Sequence, residues 1–322
     1  MILGLVGATG AVGEEVLSLL QQRRVPVQVR AFASEDSEGL FVDWMEDEIA
    51  VEAVTPERLG GCELVICAAP LEPGVLAGLR EAGVTLLDLS GALEDEADVP
   101  LIAGPLATGP RDAPVVAAAR GVTVGLAVVL QALSREAELV RVTVTTLESA
   151  GGAGRRGLDT LSEQTVSVLN AMDGAPEGGG VFPAAIAFDC LPQVGDPLPS
   201  GATTEEERLA VSLRRLLSAP SLPVQVTRIR VPVFLGSLAV LDVELAKELP
   251  LDRAASLIEA APDLELLGAG ELPTPRGAVG GDSIQVGRLR AGKASLSLVL
   301  AQDDLRRGAA QTAVELVEAR LA

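Results

Sequence analysis

Few side chains in this chain can do covalent or proton chemistry. There are three cysteines, Cys62, Cys67 and Cys190, and no histidine. A thiolate is a strong nucleophile, but near neutral pH it needs a base or a cation beside it. Without histidine there is no His-ligated metal, no Ser-His or Cys-His pair and no imidazole proton shuttle. Cys67 ends the apolar run Glu63–Ala69 and Cys190 follows Phe188-Asp189, so these are the better-placed thiols. The alternative for each is a small buried hydrophobe. No cysteine pair has disulfide or metal-ligand spacing, so the expectation is a reduced, cytoplasmic protein without a metal.

A second chemical signature lies at the start. The apolar run Ile2–Val6 leads into Gly7-Ala8-Thr9-Gly10-Ala11-Val12-Gly13, and Glu14–Leu20 then has amphipathic helix spacing. Strand, glycine turn and helix in that order let the backbone approach a pyrophosphate, with free N–H groups at the helix start. The alternative is that the glycines serve close packing of helix on strand. Beyond Gly13 the acidic turn Ser34-Glu35-Asp36-Ser37-Glu38-Gly39 closes a second strand. Glu35 is at the distance where an acid accepts hydrogen bonds from an adenosine ribose and repels a 2′-phosphate. Its other reading is a solvated turn.

These residues need elements to hold them. Strands at Val25–Ala33, Glu63–Ala69 and Val84–Leu89 alternate with helices at 14–20 and 73–82, which predicts a doubly wound parallel sheet. Phe41–Val54 predicts short antiparallel strands. The pattern changes near Ala117. Helices are expected at Val122–Ala132, Gly157–Leu169, Thr203–Leu217 and Leu251–Ala261. Strands are expected at Val140–Thr146, Val224–Val233, Ser237–Leu245, Ser283–Arg290 and Ala294–Ala301. Gly174–Gly180 reads as a loop, Val181–Pro192 as mixed apolar chain, and Asp304–Leu321 as a closing helix. The fold class is therefore α/β: a Rossmann-type sheet plus an α+β domain with an open mixed sheet, whose free face could bury a dimer partner. With 322 residues, 48% hydrophobic, two domains are expected; a net charge of −20 argues against nucleic-acid and anionic-membrane partners.

Several segments occur in a recognisable order: Gly7–Gly13 with Glu15, Asp88-Leu89-Ser90-Gly91-Ala92, Gly152-Ala153-Gly154, Phe182–Phe188, Arg230-Val231-Pro232-Val233, Val286–Arg290 and Leu305–Ala310. Over essentially the whole chain they resemble the aspartate-β-semialdehyde dehydrogenase family. The run Asp88–Glu94 has the look of its Usg-type subgroup. The resemblance implies a dinucleotide-binding domain at 1–118, completed by 303–322, and a dimerisation and substrate domain at 119–302. It also implies NADP-dependent oxidation of an aldehyde through a cysteine thioester, with phosphate releasing the acyl group and a histidine as acid and base.

At the positions that carry this chemistry the chain differs. The family's Asn-Pro-x-Cys aligns with Ala118-Ala119-Arg120-Gly121, and its Gly-His with Gly236-Ser237. The resemblance therefore puts Gly121 at the nucleophile and Ser237 at the histidine. Glu148 stands for the substrate-orienting glutamine and Glu94 for a phosphate-binding arginine. An acid at 94 is expected to repel phosphate and substrate carboxylate, at about 4 kcal/mol for one contact at 4 Å and an effective dielectric near 20. Arg230 matches the arginine that clamps the substrate carboxylate, with ordinary ion pairing as its other reading. Glu205 and Arg208 match a Glu-x-x-Lys pair that meets substrate and phosphate, with a solvated helix face as theirs.

The positions implied for the cofactor are Gly7, Thr9, Gly10, Ala11, Val12, Gly13, Ser34, Glu35, the Gly152-Ala153-Gly154 loop near the nicotinamide, and Asp304 where the family has an asparagine. The family's 2′-phosphate site, Ser-Ala-Arg-Ser, reads Ser34-Glu35-Asp36-Ser37, so NADP is disfavoured by Glu35 and Asp36 and NAD is the expected dinucleotide. The sequence thus predicts a dimeric homologue without the catalytic cysteine and histidine, acting by binding a nucleotide or a partner. The alternative is an active NAD(P)-dependent aldehyde oxidoreductase of amino-acid biosynthesis.

Overall fold

The computed structural model describes residues 1–170 and 180–321. The chain divides into two compact units, Met1–Arg120 with Gly308–Ala322, and Gly121–Arg307. The division falls at 120/121 rather than at 118/119, and 303–307 stay with the second unit.

The first unit contains β1 (Ile2–Val6), α1 (Ala11–Gln22), β2 (Gln28–Ala33), β3 (Phe41–Trp44), β4 (Asp47–Ala53), α2 (Pro56–Leu59), β5 (Leu64–Cys67), α3 (Pro73–Glu81), β6 (Thr85–Asp88), β7 (Leu101–Ala103), β8 (Leu106–Ala107) and β9 (Val115–Ala118). They form a nine-stranded sheet in the order β3-β4-β2-β1-β5-β6-β9-β7-β8. The interior pairings are parallel, and Leu5 lies between Ala31 of β2 and Ile66 of β5. Antiparallel β3 and β8 close the two edges. Leu3, Leu5 and Ile66 are fully buried, as suits strands covered on both faces. β7, β8 and β9 have two to four residues each, too few for a periodic signal, and the sequence reading passed over them.

The second unit contains α4 (Thr123–Ser134), β10 (Leu139–Glu148), α5 (Arg155–Leu169), α6 (Thr204–Leu216), β11 (Val224–Arg230), β12 (Ser237–Leu245), α7 (Leu251–Glu259), β13 (Leu264–Leu266), α8 (Pro275–Ala278), β14 (Ile284–Gly292) and β15 (Ser295–Gln302). Their sheet runs β11-β10-β12-β15-β14-β13 and is mixed. Along β12, Ser237, Ala239, Leu241, Val243 and Leu245 are buried while the residues between them lie on a more open face. α4 is apolar almost all round and correspondingly buried. Pro232 has no N–H to donate, and β11 ends at Arg230 rather than at 233. Most of the loop read at Gly174–Gly180 lies outside the described residues. Val181–Pro192 holds no helix or named strand. It is pinned by the buried Gln164, whose Oε1 accepts the amides of Ile186 and Ala187 at 2.8 and 3.2 Å.

The closing helix differs from its expected span. α9 covers Gln311–Leu321, preceded by a wide helical turn at Arg306–Ala310. Asp303 is the physical cause. Its Oδ1 accepts the amides of Leu305 and Arg306 at 2.9 and 3.0 Å, so the turn is capped there and Asp304 stays outside it. α9 packs with the first unit through Ala313, Val314, Leu316 and Val317. Among the described residues no helix is long and apolar enough to cross a membrane, and no group of three or more His, Cys, Asp or Glu side chains is arranged to hold a metal ion.

Candidate functional site

In the first unit the glycine turn joins β1 to α1. Gly7 has φ +79°, a left-handed conformation that favours glycine, and a Cβ there would come 2.9 Å from the Ala69 Cβ. A Cβ on Gly13 would lie 2.2 Å from the Gly7 carbonyl oxygen, and one on Gly10 3.3 Å from the same atom. Gly7 and Gly13 are therefore required by packing alone, while Gly10 is closely fitted. The turn also keeps the features of an anion cradle. α1 begins at Ala11 with Gly10 as N-cap, so no side chain caps its first amides, and Thr9 and Val12 flank that start. The site fits a pyrophosphate. Ser34, Glu35 and Asp36 follow the end of β2 and are exposed, so both acids are free to face solvent or a ribose.

The Asp88–Glu94 segment is a built loop. Asp88 Oδ1 accepts from the amide and hydroxyl of Ser90, and Oδ2 from the amide of Leu93 at 2.9 Å. Gly91, at φ +82°, lies directly under Arg120; a Cβ there would be 2.2 Å from its Nε. That guanidinium meets Glu94, with Nε 3.2 Å from Oε2. The expected repulsion by Glu94 is thereby corrected: this buried carboxylate has Arg120 as its counter-charge, and the two acid–base partners largely cancel at a distance.

In the second unit, sheet register assembles the site. Glu148 at the end of β10 stands between Arg230 of β11 and Ser237 of β12, and Ser237 stands opposite Gln302 of β15. The four residues form one row across the sheet's end, although the sequence separates them by up to 154 positions. Arg228 precedes Arg230 by two residues and so shares its face. It grips Glu148 bidentately, Nε to Oε1 at 2.6 Å and Nη2 to Oε2 at 2.8 Å, and also reaches Glu205 Oε2 at 3.2 Å. Burial alone would raise the Glu148 pKa, but Arg228 and then Arg230 overcome it and hold the carboxyl below its ordinary value. Glu205 also pairs with Arg208, so these two belong to the ion-pair network rather than to a solvated face. Sequence reading missed Arg228; the alternation along β11 was the signal that could have found it.

Arg230 is held differently. Its Nη1 donates to the Ser149 carbonyl at 2.6 Å, its nearest carboxylate oxygen, on Glu148, is 3.9 Å away, and its guanidinium lies 5.8 Å over the Phe182 ring. Among the described residues its Nε and Nη2 donate to no acceptor. Gly152 makes room for it, since a Cβ there would be 2.5 Å from Nη1. Ala153 ends the short helical turn at Ala150–Ala153, and Gly154, at φ +72°, starts α5.

Gly121 opens the second unit at φ +52°. A Cβ placed on it would meet one heavy atom within 4 Å among the described residues, Asp304 Oδ1 at 3.9 Å. Asp304 Oδ2 accepts a short hydrogen bond from the Ser237 hydroxyl. Oδ1 is closed to solvent and has no partner among the described residues. Burial pushes the Asp304 carboxyl up to about 7, against the opposing Ser237 hydrogen bond. The thiols offer no comparable centre. Cys67 is buried at the end of β5, and burial with Asp88 nearby pushes its pKa up; Cys62 is buried and also raised, while Cys190 is exposed. Cys67 is therefore a thiol and not a thiolate.

Comparison with known proteins fits this layout. The family model described as semialdehyde dehydrogenase, NAD binding domain, matches residues 2–109, and that described as semialdehyde dehydrogenase, dimerisation domain, matches 130–307. Aspartate-semialdehyde dehydrogenase 2 of Vibrio cholerae is 32% identical over 97% of this chain and 95% of its own length. A USG-1 protein homolog of Azotobacter vinelandii is 33% identical over 98% and 96%. The crystal structure of Vibrio cholerae aspartate semialdehyde dehydrogenase II complexed with ASA superposes with a TM-score of 0.91 at 29% identity, covering 99% of this chain and 98% of that one. On these two domain matches and full-length relatives, the chain belongs to the aspartate-semialdehyde dehydrogenase family, in its Usg-type subgroup.

Proposed function

We propose that this protein is a binding member of its family that does not carry out thiol-dependent semialdehyde oxidation. The observation that carries the reading is Gly121. Among the described residues a Cβ at Gly121 would meet only the carboxyl of Asp304, which in turn accepts the Ser237 hydroxyl, and the chain has no imidazole. A hydroxyl cannot act as the proton shuttle near pH 7 that an imidazole can. What remains is recognition. Arg230 presents two uncommitted nitrogens, Nε and Nη2, on a guanidinium backed by Phe182, a geometry suited to a ligand carboxylate.

The first unit is read as a dinucleotide site, with the pyrophosphate on the amides at Ala11–Gly13 and the ribose near Glu35. A bound nicotinamide dinucleotide would supply hydride chemistry; Glu35 and Asp36 support NAD over NADP. The dimerisation-domain match supports a homodimer through the second unit. Three free cysteines support a reducing, cytoplasmic setting.

The relatives named above are enzymes by name, so an assay for turnover decides. The purified protein, given aspartate semialdehyde, phosphate and NAD or NADP, is expected to produce reduced cofactor no faster than heat-inactivated protein. Sustained turnover abolished by Cys190→Ser or by Cys67→Ser would refute the binding reading. Calorimetry should show NAD binding and weaker NADP binding; the reverse order would remove the ribose role of Glu35.

A further inference from the structure

The first unit's sheet ends in a hairpin, β3 and β4, that takes no part in the sites described above, and β3 is its outermost strand. The register sets Phe41 opposite Ala50 and Asp43 opposite Glu48, so these four share one face, and all are exposed. On the other face Val42 and Ile49 pack on the core and Trp44 is buried in it. The exposed side carries large apolar groups: Phe41 is 62% exposed, its neighbour Leu40 52%, and Met45 at the hairpin tip 51%. An open hollow of about 850 Å³ lies against Phe41, Asp43, Met45 and Glu48. The stretch 41–50 holds four acids, Asp43, Glu46, Asp47 and Glu48, and no Lys or Arg. Among the described residues none of these carboxylates meets a cation; Arg30 and Arg58, which reach the flanking acids, are committed to Glu52 and Glu38. The main chain of β3 is open as well. The Val51 amide donates to the Leu40 carbonyl at 2.8 Å, so Leu40 faces β4, and in an antiparallel ladder Phe41 and Asp43 then turn their N–H and C=O groups outward. The Asp43 carbonyl agrees with this direction, since it accepts Gln21 Nε2 of α1 at 3.3 Å. Among the described residues the amide and carbonyl of Phe41 and the amide of Asp43 are left for an added strand. Acids on an edge can serve only to repel other strands. Here exposed Leu40, Phe41 and Met45 stand among them, which favour contact and leave the acids to choose the sign of the partner.

We propose that β3 is a docking edge for an extended basic segment of another protein, which adds to the sheet beside it. On the face over Phe41 and Asp43 that segment alternates an apolar residue with Lys or Arg. The apolar residue lies on Phe41 and enters the hollow, and the basic one stands opposite Asp43, with Glu48 across the hairpin. Exposed ion pairs hold weakly and are screened by salt, so the main chain and Phe41 supply most of the hold and the acids select the partner. A second copy of this chain is a poor occupant, because the unpaired carboxylates of the two hairpins would face one another. Nucleic acid is repelled by the same charge. The proposal is independent of the Arg230 and dinucleotide readings.

The test is fluorescence anisotropy of a labelled peptide, Thr-Lys-Thr-Val-Thr-Lys-Thr-Val-Thr, titrated with the full-length protein. It is expected to bind at least about tenfold more tightly than its Glu-for-Lys version, in which like charges stand opposite Asp43. N-methyl groups on both valines block the amides that would face β3 and should weaken binding by about tenfold. On the protein side, Asp43→Asn with Glu48→Gln should weaken binding by about fivefold and reduce its salt dependence. Phe41→Thr keeps a strand-forming residue, removes the ring and should weaken binding by about tenfold. Glu248→Gln with Glu259→Gln removes the same charge from exposed positions of the second unit and should leave the affinity within about twofold. Equal binding of the charge-reversed or the N-methylated peptide overturns the proposal, and so does no binding of the first peptide. An equal loss in the Glu248→Gln, Glu259→Gln variant overturns it by showing that net charge alone attracts the peptide. A rise in mass with protein concentration that Phe41→Thr abolishes makes a second copy the occupant and overturns it too.

Discussion

Asp304 shows how a single residue's surroundings change its chemistry. An aspartate in water ionises near pH 4; buried beside Glu148 and Asp303, this one titrates at about 7. The unfolded chain then releases its proton across a window in which the folded chain keeps it. Stability falls as pH rises from about 4 to about 7, and above that the loss is complete, on the order of 4 kcal/mol. Asp304→Asn removes the ionisable group, so thermal melts should show the variant more stable than the parent at pH 8 and close to it at pH 4. Equal melting temperatures at pH 8 would show that folding does not raise the Asp304 pKa. Gly121 has a similar lesson. Its left-handed φ means that a cysteine placed there is strained by about 1 kcal/mol, quite apart from the missing imidazole.

The elements carry costs of their own. The β1–α1 turn is tight enough that Gly13→Ala puts a methyl 2.2 Å from the Gly7 carbonyl, against backbone that cannot swing aside as a side chain can. Chemical denaturation should show a loss of about 1–3 kcal/mol, as for other overpacked sites, together with loss of dinucleotide binding. A variant with parental stability would mean that the turn relaxes easily. At the end of the second sheet, Arg228 neutralises the buried Glu148. Arg228→Ala leaves that carboxylate with only Arg230 at 3.9 Å as counter-charge and should destabilise by about 3 kcal/mol. How much of this was legible in sequence follows signal length. β10 and β12 have ten and nine residues and alternate over most of their length. β7 and β8 are too short to show any. The end of α9 was readable from its apolar spacing, but its start depends on the Asp303 cap, which the sequence leaves as one acid among neighbours.

At the scale of the whole molecule, the open face of the second sheet and the net charge of −20 act against each other. Burying Leu238 and Val240 against a second copy favours association, while like charge opposes it. Light scattering should therefore report a dimer that tightens with added salt. Val240→Arg, which puts a charge on that face, is expected to shift the mass toward a monomer. An unchanged mass would place the dimer contact elsewhere.

The residue order alone specified the family, the two-domain α/β plan and the absence of imidazole, because composition and the spacing of glycines and apolar residues are local properties of a chain. It also placed Gly121 and Ser237 at the positions where chemistry is expected. It did not disclose which charges meet. Glu94 reads as a repulsive acid and Glu148 as a replaced glutamine, and only folding shows each against an arginine, Arg120 and Arg228, at separations of 26 and 80 residues. The same holds for Asp304, whose proton affinity is raised by burial and by Glu148 against the opposing hydrogen bond from Ser237, 67 residues earlier in the chain. Desolvation and pairing act through distances in space, and sequence spacing carries little information about those.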